Sequence, residues 1–282
     1  MTAVRHGALY ALERVAQGNP PQRQTVVDVI CAYLRSPYSP AASGQVRRLG
    51  VRRPLLTVRG SRRQTGRTWT ANSSVRLATS AADALQEREV RLTAQRILTR
   101  HLRPGAHPQH PDDTFWADID LDLTGATLIN FDVSDTQLRT ASFNGASFAG
   151  NARFFGTSFG RDVEFHGADF AEDAVFEEAS FAGEARFVDA SFAGAAMFEH
   201  AFFAGDALFT RAGFSWRAGF EGASFTGAAF FGGASFAGHA RFDGASFAGY
   251  AKFDDVHLNS EVSLTDTEFA HGVPERLGPT RT

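Results

Sequence analysis

The residues of this 282-residue sequence that could coordinate a metal ion lie close together in one short stretch. His101, His107 and His110 are followed there by Asp112 and Asp113. Imidazole nitrogens and carboxylate oxygens are the ligand types that zinc accepts. The stretch is also rich in proline, which is typical of a connector between structural units. We therefore interpret it as a solvated loop and predict neither a metal ion nor a cofactor.

The motifs that mark common enzyme active sites are missing from the sequence. It contains no P-loop, no G-x-S-x-G motif, no H-E-x-x-H motif and no kinase motif set. Cys31, the only cysteine, lies in an apolar helical pattern typical of a buried and unreactive thiol. A single cysteine also excludes an internal disulfide. We predict that the protein is not an enzyme and has no small-molecule substrate.

Charge is segregated along the chain although the formal net charge is only -3. Residues 1–114 contain 18 arginines and 7 acidic residues, for a net charge of +11. Residues 115–270 contain 8 basic and 23 acidic residues, for a net charge of -15. Such segregation predicts contacts with other macromolecules. The sequence has no run of about 18 apolar residues that could cross a membrane and no signal-peptide pattern at its start.

The second half of the sequence repeats every eleven residues. A large apolar residue with a small or apolar residue two positions before it occurs at 28 positions from Leu123 to Phe269, and 22 of these centres are Phe. Their spacing is five up to Phe148 and then alternates between six and five. A helix would place successive centres roughly 140° apart, so no apolar seam would form. The pattern favours short strands separated by turns, in units that become stable only when they stack.

These units, of which Ala146-Ser147-Phe148-Ala149-Gly150 is an example, resemble the repeats of pentapeptide-repeat proteins. The resemblance covers residues 117–270 and implies a mainly β fold, a right-handed quadrilateral parallel β-helix with four pentapeptides per coil. The 28 centres then correspond to about seven coils, in a rod roughly 34 Å long. The family pattern implies that the centre and the residue two before it point inwards and that the other three positions face solvent.

Each six-residue step adds one residue to that pattern, and the additions recur every eleven residues. A coil of 22 residues would therefore bulge on two opposite sides. One column would stack Asp162, Glu184 and Asp206 beneath Ala228 and Tyr250. The other would contain Asn151, Asp173, Ala195, Arg217, His239 and Glu261. Acids about 4.8 Å apart repel one another. The first column is thus either a solvated, screened surface or a strip that receives a basic partner or a cation.

An α-helical module precedes the repeats. We predict a helical hairpin over 1–36, whose first helix (3–17) carries Val4, Ala8, Leu12 and Val15 on one face. A further helix over 80–104 begins at a capping pair of Ser80 and Asp83. The module resembles the helical region before the repeats of many bacterial pentapeptide proteins, where it often follows membrane-spanning helices. Residues 271–282 form a tail.

Residues 37–79 contain nine arginines and no acidic residue, which predicts a flexible loop. Several arginines are adjacent pairs, including Arg47 with Arg48 and Arg52 with Arg53. These pairs are candidates for contact with nucleic acid or an anionic membrane. The alternative is a variable linker whose arginine content reflects genome composition.

Three functions are compatible with these observations. The first is a non-enzymatic scaffold with an unidentified protein partner. The second is a DNA mimic that binds a type II topoisomerase such as gyrase, as the resemblance to fluoroquinolone-protecting family members implies. The third is a membrane-associated protein whose anchor lies upstream; otherwise we expect a cytoplasmic protein. Because the last coil is followed only by a short tail, we also predict a homodimer contact there.

Overall fold

The computed structural model describes residues 2–38, 71–105 and 110–277. Three α-helices come first: α1 (Thr2–Gly18), α2 (Arg23–Arg35) and α3 (Ala71–Leu102), with a 3₁₀ turn (Pro20–Gln22) between the first two. The 27 strands of the described residues follow, and all of their pairings are parallel. They wind into a solenoid with four faces, numbered 1 to 4 in the order in which the chain crosses them.

Each face is one parallel sheet with strands of two or three residues. Face 1 contains Asp120–Asp122, Thr140–Ser142, Val163–Glu164, Ala185–Arg186, Ala207–Leu208, Ala229–Phe230 and Ala251–Lys252. Face 2 contains Thr127–Ile129, Ser147–Ala149, Asp169–Phe170, Ser191–Phe192, Gly213–Phe214, Ser235–Phe236 and His257–Leu258. Face 3 contains Ala152–Arg153, Ala174–Val175, Ala196–Met197, Ala218–Gly219, Ala240–Arg241 and Val262–Ser263. Face 4 contains Gln137–Leu138, Ser158–Phe159, Ser180–Phe181, Phe202–Phe203, Ser224–Phe225, Ser246–Phe247 and Glu268–Phe269.

The register of the strands follows from the sequence repeat. Val163 pairs with Ala185, and Ala185 with Ala207, so that most coils contain 22 residues. The first coil is shorter, because Asp120 pairs with Thr140. This confirms a parallel β-solenoid of about seven coils preceded by helices. It also confirms that one five-residue step and one six-residue step together make half of a 22-residue coil.

The interior of the solenoid is filled by phenylalanine. The first 25 of the 28 predicted centres are buried, and the last three (Leu258, Leu264 and Phe269) are partly buried. Rings of successive coils are parallel: those of Phe176 and Phe198 have centroids 4.8 Å apart and an interplanar angle of 2°. Rings on neighbouring faces meet edge to face, a favourable aromatic geometry. The inward orientation predicted from the repeat is confirmed.

The helical module packs on the first coil, mainly through α2 and α3. Val26, Ile30 and Leu34 of α2 are buried, as are Ala94 and Leu98 of α3. The predicted stripe of α1 is wrong, since Val4 and Val15 are 75% and 52% exposed whereas Leu9 and Ala16 are buried. The apolar residues of α1 are distributed around the helix, so their spacing does not distinguish the packed face.

Helix α3 begins nine residues before the predicted start at Ser80. Residues 71–79 contain neither proline nor glycine, and a nucleated helix extends readily through such a segment. The predicted loop is therefore shorter than 37–79 at its C-terminal end. Its arginine pairs, among them Arg47 with Arg48 and Arg52 with Arg53, lie outside the described residues.

Two glutamines cover the open strand edges at the start of the solenoid. The Gln24 amide donates to the carbonyl of Asp120 at 2.9 Å and accepts its N–H at 3.0 Å. Gln95 makes the same pair of bonds to Ile129, both at 2.9 Å. Each side chain thus replaces the neighbouring strand that the first coil lacks. Since Gln24 belongs to α2 and Gln95 to α3, both helices cover the first coil, and Trp116 is fully buried.

Candidate interaction surface

The structure brings Asp162, Glu184 and Asp206 together as one column, at the corner between faces 4 and 1. Oδ1 of Asp162 accepts the backbone N–H of Glu184 at 2.9 Å, and Oδ1 of Asp206 accepts that of Ala228 at 2.8 Å. Each N–H belongs to an additional residue, which the bulge removes from the regular ladder. These aspartates therefore satisfy backbone donors of the next coil. Binding of a partner by this column stays a prediction.

Asp173 stands at the diagonally opposite corner, between faces 2 and 3. Its Oδ1 accepts the N–H of Ala195 at 2.9 Å, which is the same arrangement one half-coil away. The two columns of additional residues thus lie on opposite corners, as the eleven-residue period predicts. In both columns, an aspartate at the additional position of one coil accepts the backbone N–H of the additional residue in the next coil.

Glycines precede many of the additional residues because the coils approach closely there. A Cβ atom on Gly205 would overlap the carbonyl oxygen of Gly183, and one on Gly227 would overlap that of Gly205. At the corner between faces 4 and 1, the backbone atoms of successive coils therefore lie close together.

Arginines neutralise part of the acidic surface. Arg186 donates to Glu164 at 3.0 Å and to Glu184 at 2.6 Å. Arg211 binds Asp189 through two parallel bonds of 2.7 and 2.6 Å, a bidentate geometry. The net charge of -15 over residues 115–270 is therefore expressed as separate patches on the solenoid and not as an unbroken strip.

Four large apolar side chains occupy outward positions around the corner between faces 4 and 1, and sequence reasoning did not single them out as a group. They are Phe202, Leu208, Phe230 and Tyr250, which we call the apolar corner. Phe202 is 44% exposed and Tyr250 62%, while Leu208 and Phe230 are half-buried. The signal was present in the sequence, since Phe202 occupies an outward position that is serine in both adjacent coils.

A second cluster lies on face 3, where Gly219 leaves space for two carboxylates. The side chains of Glu199 and Glu221 both fold over Gly219, so that a Cβ atom there would overlap oxygens of both. Oε2 of each is shielded from solvent and has no hydrogen-bond partner among the described residues. Arg217 binds Oε1 of Glu199 at 3.2 Å, and Arg241 binds Oε1 of Glu221 at 3.2 Å. Burial, followed by the charge of Glu221, raises the pKa of Glu199.

We expect this cluster to make the stability of the protein dependent on pH. Because the folded-state pKa of Glu199 lies above its unfolded value, folding favours the protonated carboxyl, and its contribution to the free energy of unfolding grows as pH falls through the folded-state pKa. We expect Glu199→Gln to raise the free energy of unfolding near neutral pH by up to about 1 kcal/mol. Urea titrations between acidic and neutral pH measure this, and the exposed Asp169→Asn is the control. An unchanged pH dependence in Glu199→Gln would contradict the prediction.

A family model described as pentapeptide repeats (9 copies) matches residues 154–201, 165–213 and 220–268. The solenoid belongs to the pentapeptide-repeat family. All three matches lie in the solenoid, and two of them overlap with an offset of about half a coil, which reflects the eleven-residue period. No curated protein matches this pentapeptide-repeat protein significantly. No described helix of the protein has the length and apolar character needed to cross a membrane.

The candidate metal ligands that the structure describes do not form a metal site. His101 is buried, stacks on Trp116 at 3.9 Å, and has its Nε2 2.8 Å from Oε1 of Glu13. His110 is exposed, and His107 lies outside the described residues. Within the described ranges, no group of three or more His, Cys, Asp or Glu side chains could hold a metal ion. Cys31 is buried, and burial raises the pKa of its thiol to about 12, which makes it unreactive at neutral pH.

The last coil of the pentapeptide-repeat protein is less well covered than the first. Leu258, Leu264 and Phe269 are only partly buried, although Leu277 of the tail also packs against the apolar core. An incompletely covered end is the feature on which the homodimer prediction depends. The homodimer contact stays a prediction.

Proposed function

We propose that this pentapeptide-repeat protein is a non-enzymatic scaffold that binds a protein partner through the outer surface of its solenoid. One observation carries the proposal: in the described coils the interior is uniform and full, whereas the outward positions differ from coil to coil. Phe143 to Phe253 form an unbroken buried stack, so no substrate-sized space exists inside these coils. Variation in outward side chains at a rigid spacing is what repeat proteins use for recognition.

Cross-linking in cells of the source organism tests the scaffold function. The full chain carries an affinity tag, and cross-linked residues are mapped by mass spectrometry. We expect a protein partner in near-stoichiometric amount with cross-links on outward positions of the solenoid. A partner attached only outside the solenoid and the helical module, or no reproducible partner, would contradict the proposal. The membrane-associated alternative predicts recovery of the protein with the membrane fraction.

A topoisomerase-binding DNA mimic is the second candidate function. The net charge of -15 over residues 115–270 favours it. The ion pairs of Arg186 and Arg211 count against it, because they divide the acidic surface into patches. The test is a supercoiling assay with purified gyrase, full-chain protein and the variant Asp162→Asn/Asp206→Asn, in which the amide oxygen can still accept the backbone bond. A mimic would inhibit in a salt-sensitive manner and lose potency in the variant; absence of inhibition at tens of micromolar protein excludes it.

A further inference from the structure

We infer that the apolar corner, together with the acidic column below it, is the docking surface for a cationic amphipathic helix of a partner protein. The inference rests on the proposed scaffold function and names the surface and the chemistry of the partner. The apolar corner supplies the anchors, and the exposed carboxylates of Asp162 and Asp206 supply the complementary charge.

The four apolar side chains are neighbours by the geometry of the solenoid. Phe202 and Leu208 belong to the same coil and flank one corner, since only five residues separate them. Leu208 is paired directly with Phe230 in the next coil. Tyr250 stands at the additional position of the same corner, two coils beyond Asp206. The cluster therefore extends over three coils, or roughly 10 Å along the solenoid axis.

The fold does not require these side chains. Ser180 and Ser224 pair with Phe202 from either side and occupy the same outward position, so serine is compatible with the strand there. Ala228 occupies the additional position between Asp206 and Tyr250. Large apolar side chains left in water lose the free energy that burial would supply. A group of them at positions where other coils have small, polar or charged residues is typical of an interaction site.

Contacts within the chain cover the apolar corner only in part. The Lys252 ammonium lies 5.5 Å from the centroid of the Phe230 ring, and His271 stacks on Tyr250 at 4.1 Å. Tyr250 nevertheless remains 62% exposed and Phe202 44% exposed. Surface of both rings is thus available to a partner.

Charge identifies the kind of partner. The acidic column continues from the apolar corner toward the N-terminal end, through Glu184 and Asp162. Asp162 uses Oδ1 for the backbone of the next coil, which leaves Oδ2 to accept a bond from a partner. A second solenoid is an unfavourable occupant, since residues 115–270 of each copy have a net charge of -15. The occupant must therefore combine apolar side chains with positive charge.

Spacing favours a helix that lies along the solenoid axis. An α-helix advances about 5.4 Å per turn, close to the roughly 4.8 Å between coils. Apolar side chains at positions i, i+4 and i+7 would then meet successive coils of the apolar corner. Basic side chains on the neighbouring turns would reach Asp206 and Asp162.

Peptide binding to the full-length protein tests the inference. The probe is a fluorescent 18-residue lysine–leucine amphipathic helix, and a glutamate–leucine peptide of the same pattern is its control. The test variant is Phe202→Ser/Tyr250→Ala, which introduces the residues of the adjacent coils. Trp216→Gly is the matched control, because Trp216 is also an exposed aromatic and Gly194 and Gly238 occupy its position in the neighbouring coils. Circular dichroism verifies that all variants are folded.

We expect the lysine–leucine peptide to bind the unmodified protein at physiological salt and the glutamate–leucine peptide not to bind. The Phe202→Ser/Tyr250→Ala variant should bind about tenfold or more weakly, and Trp216→Gly within about twofold of the unmodified protein. Asp162→Asn should weaken binding by a smaller factor and reduce its salt dependence. Equal binding by the Phe202→Ser/Tyr250→Ala variant, or no binding by the unmodified protein, would overturn the inference. Neither result would contradict the scaffold function, which the cross-linking experiment tests separately.

Discussion

Replacing Phe198 with alanine should lower the free energy of unfolding by about 3–5 kcal/mol, the range of buried phenylalanine deletions. Phe198 has no solvent exposure and lies between the parallel rings of Phe176 and Phe220, with centroids 4.8 and 4.9 Å away. The edges of Phe187 and Phe209 close the remaining sides at 5.4 and 5.2 Å. Hydrogen bonds to both adjacent coils hold the backbone, so the cavity cannot collapse.

Urea unfolding followed by circular dichroism measures this effect. Phe269→Ala is the control, because Phe269 is the phenylalanine centre of the neighbouring face 4 column in the last coil, is only partly buried and has one stacked neighbour, Phe247. We expect a loss of about 1–2 kcal/mol there, in proportion to the smaller buried area. Equal losses at the two positions would contradict the central role of the phenylalanine stack.

The interior of the solenoid is predictable from sequence because each inward position is repeated many times. The spacing of the Phe centres alone determines which residues lie one coil apart, and the structure pairs Phe181 with Phe203 as that spacing requires. The columns of additional residues follow from the same arithmetic. The bond from Asp162 to the Glu184 backbone does not, because it depends on the path of the bulge in three dimensions.

Features without a repeat are harder to predict. Gln24 and Gln95 cover the first coil, yet nothing in their local sequence distinguishes them from surface glutamines of an amphipathic helix. The apolar corner was missed for a different reason. Its members are far apart in sequence, from Phe202 to Tyr250, and form a group only once the 22-residue register is known. The identity of a partner depends on chemistry outside this chain, which its sequence does not contain.

Glu87 and Arg91 illustrate how position in the fold changes the energy of an interaction that the sequence predicts. As a pair four residues apart on an exposed helix, they would contribute about 0.2–0.5 kcal/mol. The structure confirms the pair, with Nε of Arg91 3.1 Å from Oε1 of Glu87, but the arginine side chain is completely buried. Its guanidinium also donates to the carbonyls of Leu34 and Ser36, both at 2.8 Å, and so joins α3 to the end of α2.

Arg91→Ala is therefore expected to lower the free energy of unfolding by about 3–5 kcal/mol, the cost of leaving buried partners without their charge. The substitution removes the donors of two carbonyls and the cation that lies 4.5 Å from the Tyr38 ring. Urea unfolding measures the loss. Hydrogen exchange of α2 locates it, because α2 packs on the first coil and its release would expose that end of the solenoid.

Two further variants separate the buried guanidinium from charge alone. Arg88→Ala removes an exposed arginine of the same helix that pairs with Glu89, and we expect a change within about 0.5 kcal/mol. Arg91→Lys keeps the charge but loses the planar group that reaches Glu87, Leu34 and Ser36 together, so its loss should be intermediate. If Arg91→Ala lowered the free energy of unfolding no more than Arg88→Ala does, the bonds of Arg91 between α3 and α2 would not stabilise the helices that cover the solenoid. A lysine variant as stable as the unmodified protein would instead assign the effect to charge and not to the fork geometry of arginine.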